Sequence, residues 1–296
     1  MFNGLSAFPL TPADDSGRVD TKALQRFLER LVAAQVDSIG LLGSTGAYVY
    51  LSRQERRRAV EAAAECVAGR VPVIVGVGTL RTDDAQALAA DAKASGADGL
   101  LLAPVSYTPL TEEEVYRHFI AVAGVSDLPL CIYNNPGTTK FAFSHDLIVR
   151  LADVPNIKAV KMPLPGNGDA GAELDALRSR VPSDFAIGYS GDWGACDALL
   201  AGCDAWYSVV AGLLPMPAMR LTRAAQAGDK AEAQRLNEAF SELWSLFKEL
   251  SSLRVMYALS DHLGLSSALP PKPLLPISKG DRIRVEHALE RLGSLE

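Results

Sequence analysis

Ser38-Ile39-Gly40-Leu41-Leu42-Gly43 and Val71-Pro72-Val73-Ile74-Val75-Gly76 are two short apolar runs separated by a stretch of different rhythm. Between them Ser52 opens a charged, alanine-rich run with Glu55 three residues on, a capping-box spacing, and Gly69 closes it as an αL cap. The pattern is strand, helix, strand. Because neither strand alternates apolar with polar residues, both are expected to be covered on two faces, as parallel strands beneath helices are.

The same alternation runs outward in both directions. Strands are expected at residues 5–11, 38–43, 71–76, 99–104, 128–134, 157–162, 185–190 and 205–210. Helices are expected to begin at Asp20 or Thr21 (carrying Leu24, Phe27, Leu28 and Leu31), at Ser52, and at Thr82, Thr111 and Ser144, with acids in first turns to suit the helix dipole. Gly96 and Gly202 close helices as Gly69 does. Eight such units with no linker or composition shift predict an α/β fold, a closed (β/α)8 TIM barrel. A doubly wound open sheet would carry a glycine-rich phosphate turn after its first strand, but Pro12, Ala13 and Asp14 stand there. Residues 1–214 are expected to form the barrel core with the site. Residues 215–296 read as C-terminal helices (216–227, 230–250, 255–263, 281–292) that complete the barrel and pack on it.

Composition narrows the function classes. The 296 residues are 48% hydrophobic and 22% charged, ordinary globular usage. A net charge of −6 leaves no basic stripe for phosphates, so no nucleic-acid partner is expected. Arg53, Arg56, Arg57 and Arg58, interleaved with Glu55 and Glu61, read as a solvated helix face. No apolar run approaches the ~18 residues of a membrane span and no signal-peptide pattern opens the chain, so a cytoplasmic protein is expected. Cys66, Cys131, Cys196 and Cys203 lack metal-ligand spacing, and so do His118, His145, His262 and His287; no metal is expected. His118 and His145 read as surface histidines.

Barrel enzymes place their chemistry at the C-terminal strand ends, and four ends here are unusual. The sixth run, Ile157-Lys158-Ala159-Val160-Lys161-Met162, has two lysines of opposite facing: Ile157, Ala159 and Lys161 point one way, Lys158 and Val160 the other. Apolar walls favour a neutral amine, the nucleophilic form, over an ammonium. The second end is Gly43-Ser44-Thr45-Gly46, two hydroxyls and free N–H groups suited to a carboxylate. It lacks the lysine of a nucleotide P-loop. The fifth ends on Tyr133, whose hydroxyl is placed to move protons. The seventh, Gly188-Tyr189-Ser190-Gly191, misses a serine-hydrolase elbow because Asp192 occupies the second glycine's place. Asp192 also argues against a sugar-phosphate site beside Gly191 and Gly212. A non-catalytic barrel that merely binds a small carboxylate is the rival of another class.

Gly43-Ser44-Thr45-Gly46, Tyr133-Asn134-Asn135-Pro136 and the Ile157–Met162 run together resemble the dihydrodipicolinate synthase/N-acetylneuraminate lyase family over residues 4–293. The resemblance implies a homotetramer built as a dimer of dimers and a Schiff base with pyruvate or another 2-oxo acid. It needs no cofactor, because the lysine supplies the electron sink. It implies that Lys161 forms the imine, that Tyr133 transfers protons, and that Ser44 and Thr45, with Gly43, hold the substrate carboxylate. Tyr107 would be lent to a neighbouring subunit's site, and Gly191 and Tyr207 would line the substrate. Two departures from the family matter. Dihydrodipicolinate synthases read Y-N-V-P, then a small residue and an arginine for the second substrate's carboxylate; this chain has Thr138 in the arginine's place, with Lys140 two residues on. Ala47 stands where glutamate is usual. Thr138 therefore shifts the expectation toward aldol cleavage, condensation or dehydration of a 2-oxo-3-deoxy sugar acid. The alternative is 4-hydroxy-tetrahydrodipicolinate synthase, which condenses pyruvate with aspartate semialdehyde.

Overall fold

A computed structural model describes residues 1–293. Eight parallel strands, β1 (Gly4–Ala7), β2 (Ser38–Leu41), β3 (Val73–Gly76), β4 (Gly99–Leu102), β5 (Leu130–Tyr133), β6 (Ile157–Met162), β7 (Ala186–Tyr189) and β8 (Ala205–Ser208), close into a barrel in sequence order. Closure is made by β1 on β8, from Gly4 opposite Ala205 to Ala7 opposite Ser208. The outer ring is α1 (Thr21–Ala33), α2 (Arg53–Val67), α3 (Thr82–Ala94), α4 (Glu112–Ala123), the single turn α5 (Pro136–Thr139), α6 (His145–Ala152), α7 (Ala170–Arg178) and α8 (Ala195–Leu200). Then follow α9 (Pro215–Gln226), α10 (Lys230–Ala239), α11 (Ser241–Leu250), α12 (Ser252–His262) and α13 (Lys279–Leu292). Among the described residues no helix is long and apolar enough to cross a membrane.

Except at β3, which ends at Gly76 as expected, and at β6, the expected strand runs were longer than the ladders at their C-terminal ends. There the surplus residues leave the ladder to build the barrel mouth. Phe8, for example, still donates its N–H to the Ser208 carbonyl at 2.9 Å while turning its ring inward. Helix starts follow the caps. Asp20, Ser52, Thr111 and Ser144 each accept an N–H from the first turn, and Thr111 with Glu114 makes a full capping box. At Ser52 only half the box forms, because the Glu55 carboxylate is taken by the N–H of Val19 and by Arg58. α3 begins at Thr82 as expected, with Arg81 at the N-cap and no side-chain cap bond.

Two apolar layers result. The larger lies mainly between strands and helices. The smaller is built from Phe2, Phe8, Ile74, Leu101, Ala103, Cys131, Tyr133, Ala159, Ala186, Ala205 and Tyr207. Large rings are seated on glycines: a Cβ at Gly40 would lie 2.3 Å from Phe8, and one at Gly188 would lie 2.6 Å from Tyr207 and from the Ala205 carbonyl. Ala159 joins this inner set, but Ile157 belongs to the outer one. The expected common facing of Ile157, Ala159 and Lys161 is thus corrected by a bulge. Pairing with β5 steps from Leu130 opposite Ile157 to Cys131 opposite Ala159, and the extra residue breaks the alternation.

Three other expectations are corrected. Arg56 is not solvated: it sits on the α2 face of Ala59, Val60 and Ala63, over the Tyr48 ring, and donates to the Gly76 and Gly78 carbonyls. Burial draws its guanidinium down to about 10, against the opposing pull of Tyr48. His118 is buried on α4 beside Phe119, its Nδ1 3.0 Å from the Thr82 hydroxyl and its Nε2 without a partner among the described residues. Burial holds its charged form down. Finally, the expected 230–250 helix is two helices that meet at Phe240, a buried residue with its ring stacked on Trp244 at 4.7 Å.

Candidate active site

Lys161, next to last in β6, lies inside the barrel, 4% exposed, with Lys158 on the outside in a 2.9 Å pair with Asp184. Its Nζ lies over three rings, 4.0 Å from the centroid of Phe8, 4.6 Å from Tyr133 and 5.6 Å from Tyr207. These rings enclose the amine beneath and at the side. Cys131 packs below, its thiol 3.5 Å from the Tyr207 hydroxyl and pushed up by burial to about 12, so it is no competing nucleophile at neutral pH.

Tyr133 is held in register by β6, directly opposite Lys161. Its Oη is 3.0 Å from Ser44 Oγ and accepts a 2.9 Å hydrogen bond from Asn135 Nδ2. Ser44 and buried Thr45 lie in the turn between β2 and α2, entered through Leu42 (φ 56°) and left through Ala47 (φ 51°). Gly43 lets the turn lie on the Phe8 ring, where a Cβ would come within 2.5 Å.

Above the lysine opens a cavity of about 550 Å³. Of the residues expected at the site, Lys161, Tyr133, Ser44, Thr45, Thr138 and Gly191 line it. Gly43 supports the turn from behind. Tyr207 does not line it: its side chain lies below the lysine, and Val209 takes the lining position. Tyr107 is 97% exposed on the loop between β4 and α4 and does not reach the cavity of its own chain.

The sequence reading missed two contributors. Asp192 is fully buried at the end of β7, following Gly191 (φ 96°). Its carboxylate accepts from Trp206 Nε1 (3.0 Å) and from the N–H groups of Val209 (3.2 Å) and Val210 (2.7 Å). Burial raises its affinity for a proton, while those donors and Lys161 oppose the rise. It ties the ends of β7 and β8 together. The second is the joint of α11 and α12 at Ser251 (φ 74°), which brings Phe247, Ser251, Ser252 and Leu253 over the mouth.

A strand-end lysine in an aromatic pocket, with a hydroxyl relay beside it at the mouth of a (β/α)8 barrel, defines the class of lysine-dependent lyases. A sequence profile of the dihydrodipicolinate synthetase family matches residues 1–292, and the chain belongs to that family. It is an enzyme of the lyase type that works through a lysine Schiff base. The 4-hydroxy-tetrahydrodipicolinate synthase of Methylococcus capsulatus is 36% identical over the whole of both chains. The crystal structure of a dihydrodipicolinate synthase from Agrobacterium tumefaciens is 62% identical, covering 99% of this chain and 98% of that one, with a TM-score of 0.98. That of the Acinetobacter baumannii dihydrodipicolinate synthase complexed with pyruvate is 32% identical, covers 99% of each chain and has a TM-score of 0.89.

Proposed function

We propose that Lys161 forms a Schiff base with pyruvate or a pyruvate-yielding 2-oxo acid, and that the chain makes or breaks a bond at that substrate's C3. The carrying observation is the buried Lys161 amine at the cavity floor, with Tyr133 and Ser44 in hydrogen-bond contact beside it. The pyruvate bound by the Acinetobacter relative supports the choice of substrate.

The substrate carboxylate docks on Ser44, Thr45 and the N–H groups of their turn. The Lys161 amine attacks C2, and the resulting carbinolamine loses water after Tyr133 delivers a proton to the departing hydroxyl. The iminium then accepts the electrons of the C3–C4 bond. In cleavage, Tyr133 takes the C4 hydroxyl proton, the bond breaks, and an aldehyde leaves a lysine-bound enamine. Protonation at C3 and hydrolysis release pyruvate. Condensation runs the same steps backward.

For the second substrate, the cavity's charge is informative. Its only charged lining residues among those described are Lys161, consumed as the nucleophile, and Asp192, whose oxygens are occupied. Lys140 is exposed and outside the lining. The wall carries Asn135, Thr138, Ser190, Ser251 and Ser252, a polar but uncharged set. This favours a hydroxylated neutral aldehyde, as released from a 2-oxo-3-deoxy sugar acid, over a second carboxylate. The second reading, condensation with aspartate semialdehyde, is favoured by the names of the relatives. A homotetramer in which Tyr107 enters a neighbour's site accompanies both readings, and the exposure of Tyr107 supports it.

Borohydride reduction in the presence of pyruvate, followed by peptide mass spectrometry, tests the core. An adduct on Lys161 is expected; folded protein left unmodified there would overturn the proposal. Turnover of aspartate semialdehyde against a panel of 2-oxo-3-deoxy sugar acids then decides the second substrate.

A further inference from the structure

We propose that Asn135 is a positioning residue for proton transfer, acting through Tyr133. Where dihydrodipicolinate synthases read Y-N-V-P, this chain has Asn135 in the valine's place, and its amide is aimed at the phenol. Nδ2 donates to Tyr133 Oη at 2.9 Å, alongside Ser44 Oγ at 3.0 Å. Valine would fill the space but donate nothing.

The turn that carries Asn135 holds it still. Its carbonyl accepts the N–H groups of Thr138 and Thr139, both at 3.0 Å, and their hydroxyls at 3.3 and 3.0 Å. Thr138, the residue in the arginine's place, is thus one of the groups fixing Asn135, so these two positions of the fifth strand's end form one unit. With Asn135 occupying one lone pair of Oη, the hydroxyl proton is directed to Ser44 or to a substrate oxygen in the cavity. When Tyr133 gives that proton away, the amide N–H faces the charge that develops on Oη. Hydrogen bonds to charged groups are the stronger kind, and placed donors aimed at developing charge lower barriers.

The proposal rests on the Schiff-base reading, so the test must separate the two. The rate of C3 hydrogen–deuterium exchange in pyruvate, followed by NMR in D2O, needs no second substrate and requires the iminium. Wild type, Asn135→Val, Asn135→Asp, Tyr133→Phe and the Tyr133→Phe/Asn135→Val double variant are compared. Asn135→Asp keeps the shape of the amide but removes the donor. Both single variants at 135 are expected to exchange about tenfold slower or more, with half-saturation by pyruvate moved by less than about threefold. In the Tyr133→Phe background, Asn135→Val should add no further slowing.

Wild-type speed in Asn135→Asp, or slowing that multiplies with that of Tyr133→Phe, would overturn the role of Asn135. The Lys161 borohydride adduct is measured on every variant. Its absence from wild type would instead sink the Schiff-base reading itself.

Discussion

Replacing Thr138 with arginine restores a cation at the position where this chain departs from dihydrodipicolinate synthases. Thr138 is exposed at the rim of the cavity, so the longer side chain has room. The hydroxyl it loses donates to the Asn135 carbonyl at only 3.3 Å, and that carbonyl keeps two N–H groups and the Thr139 hydroxyl. The stability cost should stay within about 0.5 kcal/mol. A charge-assisted hydrogen bond to the carboxylate of aspartate semialdehyde contributes about 1.5–3 kcal/mol, and each 1.4 kcal/mol is a factor of ten. Thr138→Arg is therefore expected to raise kcat/KM for aspartate semialdehyde by roughly 10- to 150-fold. Turnover of a neutral hydroxylated aldehyde should be unchanged or lowered. Pyruvate consumption, read in quenched samples with lactate dehydrogenase and NADH, measures both. Wild type already as efficient as the variant with aspartate semialdehyde would refute the charge argument, as would a folded variant with no gain.

Three further outcomes are expected. Asp192→Asn presents one oxygen and one amino group to three N–H donors, so at least one buried bond is lost at about 1–3 kcal/mol; calorimetry should show a lower Tm, and an unchanged Tm would contradict the clamp. Burial lowers the proton affinity of His118, so as pH falls through its ordinary value of 6.5 the unfolded chain takes up a proton that the fold resists. The wild-type Tm should therefore drop more between about pH 7.5 and about pH 5.5 than that of His118→Gln, and equal drops would remove His118 from the acid limb. Gly188→Ala places a Cβ 2.6 Å from the Ala205 carbonyl, which is backbone and cannot turn aside; a loss of about 1–3 kcal/mol is expected in denaturant titration, and wild-type stability would show that the barrel interior yields there.

What was legible in the sequence was what repeats or stays local. Apolar runs of both-face cover and their caps carried the barrel, and β6 was placed to the residue. That Lys161, Tyr133 and the Ser44–Thr45 turn would meet at one cavity was legible because strand ends in a barrel converge on one mouth. What was hidden depends on contacts distant along the chain. Asp192 reads as an awkward acid after a glycine until Trp206, Val209 and Val210 arrive to bind it. Arg56 and His118 look like surface residues because their partners are backbone carbonyls and one hydroxyl, which leave no pattern. The bulge opposite Leu130 breaks the two-residue period with no glycine or proline inside β6 to announce it. Phe247 and Ser251–Leu253 belong to helices whose periodicity speaks only of packing.

That last segment divides labour along the chain. Lys161 and Tyr133, the groups proposed to make and break the covalent bond, sit on strand ends, locked by the barrel's hydrogen-bond ladder. The α11–α12 elbow at Ser251 instead carries Phe247, Ser251, Ser252 and Leu253, a part of the wall that the proposed reaction leaves to the partner of the pyruvate carbons. Substitutions at Phe247, Ser252 or Leu253 can therefore reshape the choice of partner aldehyde while the imine machinery is inherited intact. A library confined to this elbow is the economical way to retune the enzyme without disturbing its nucleophile.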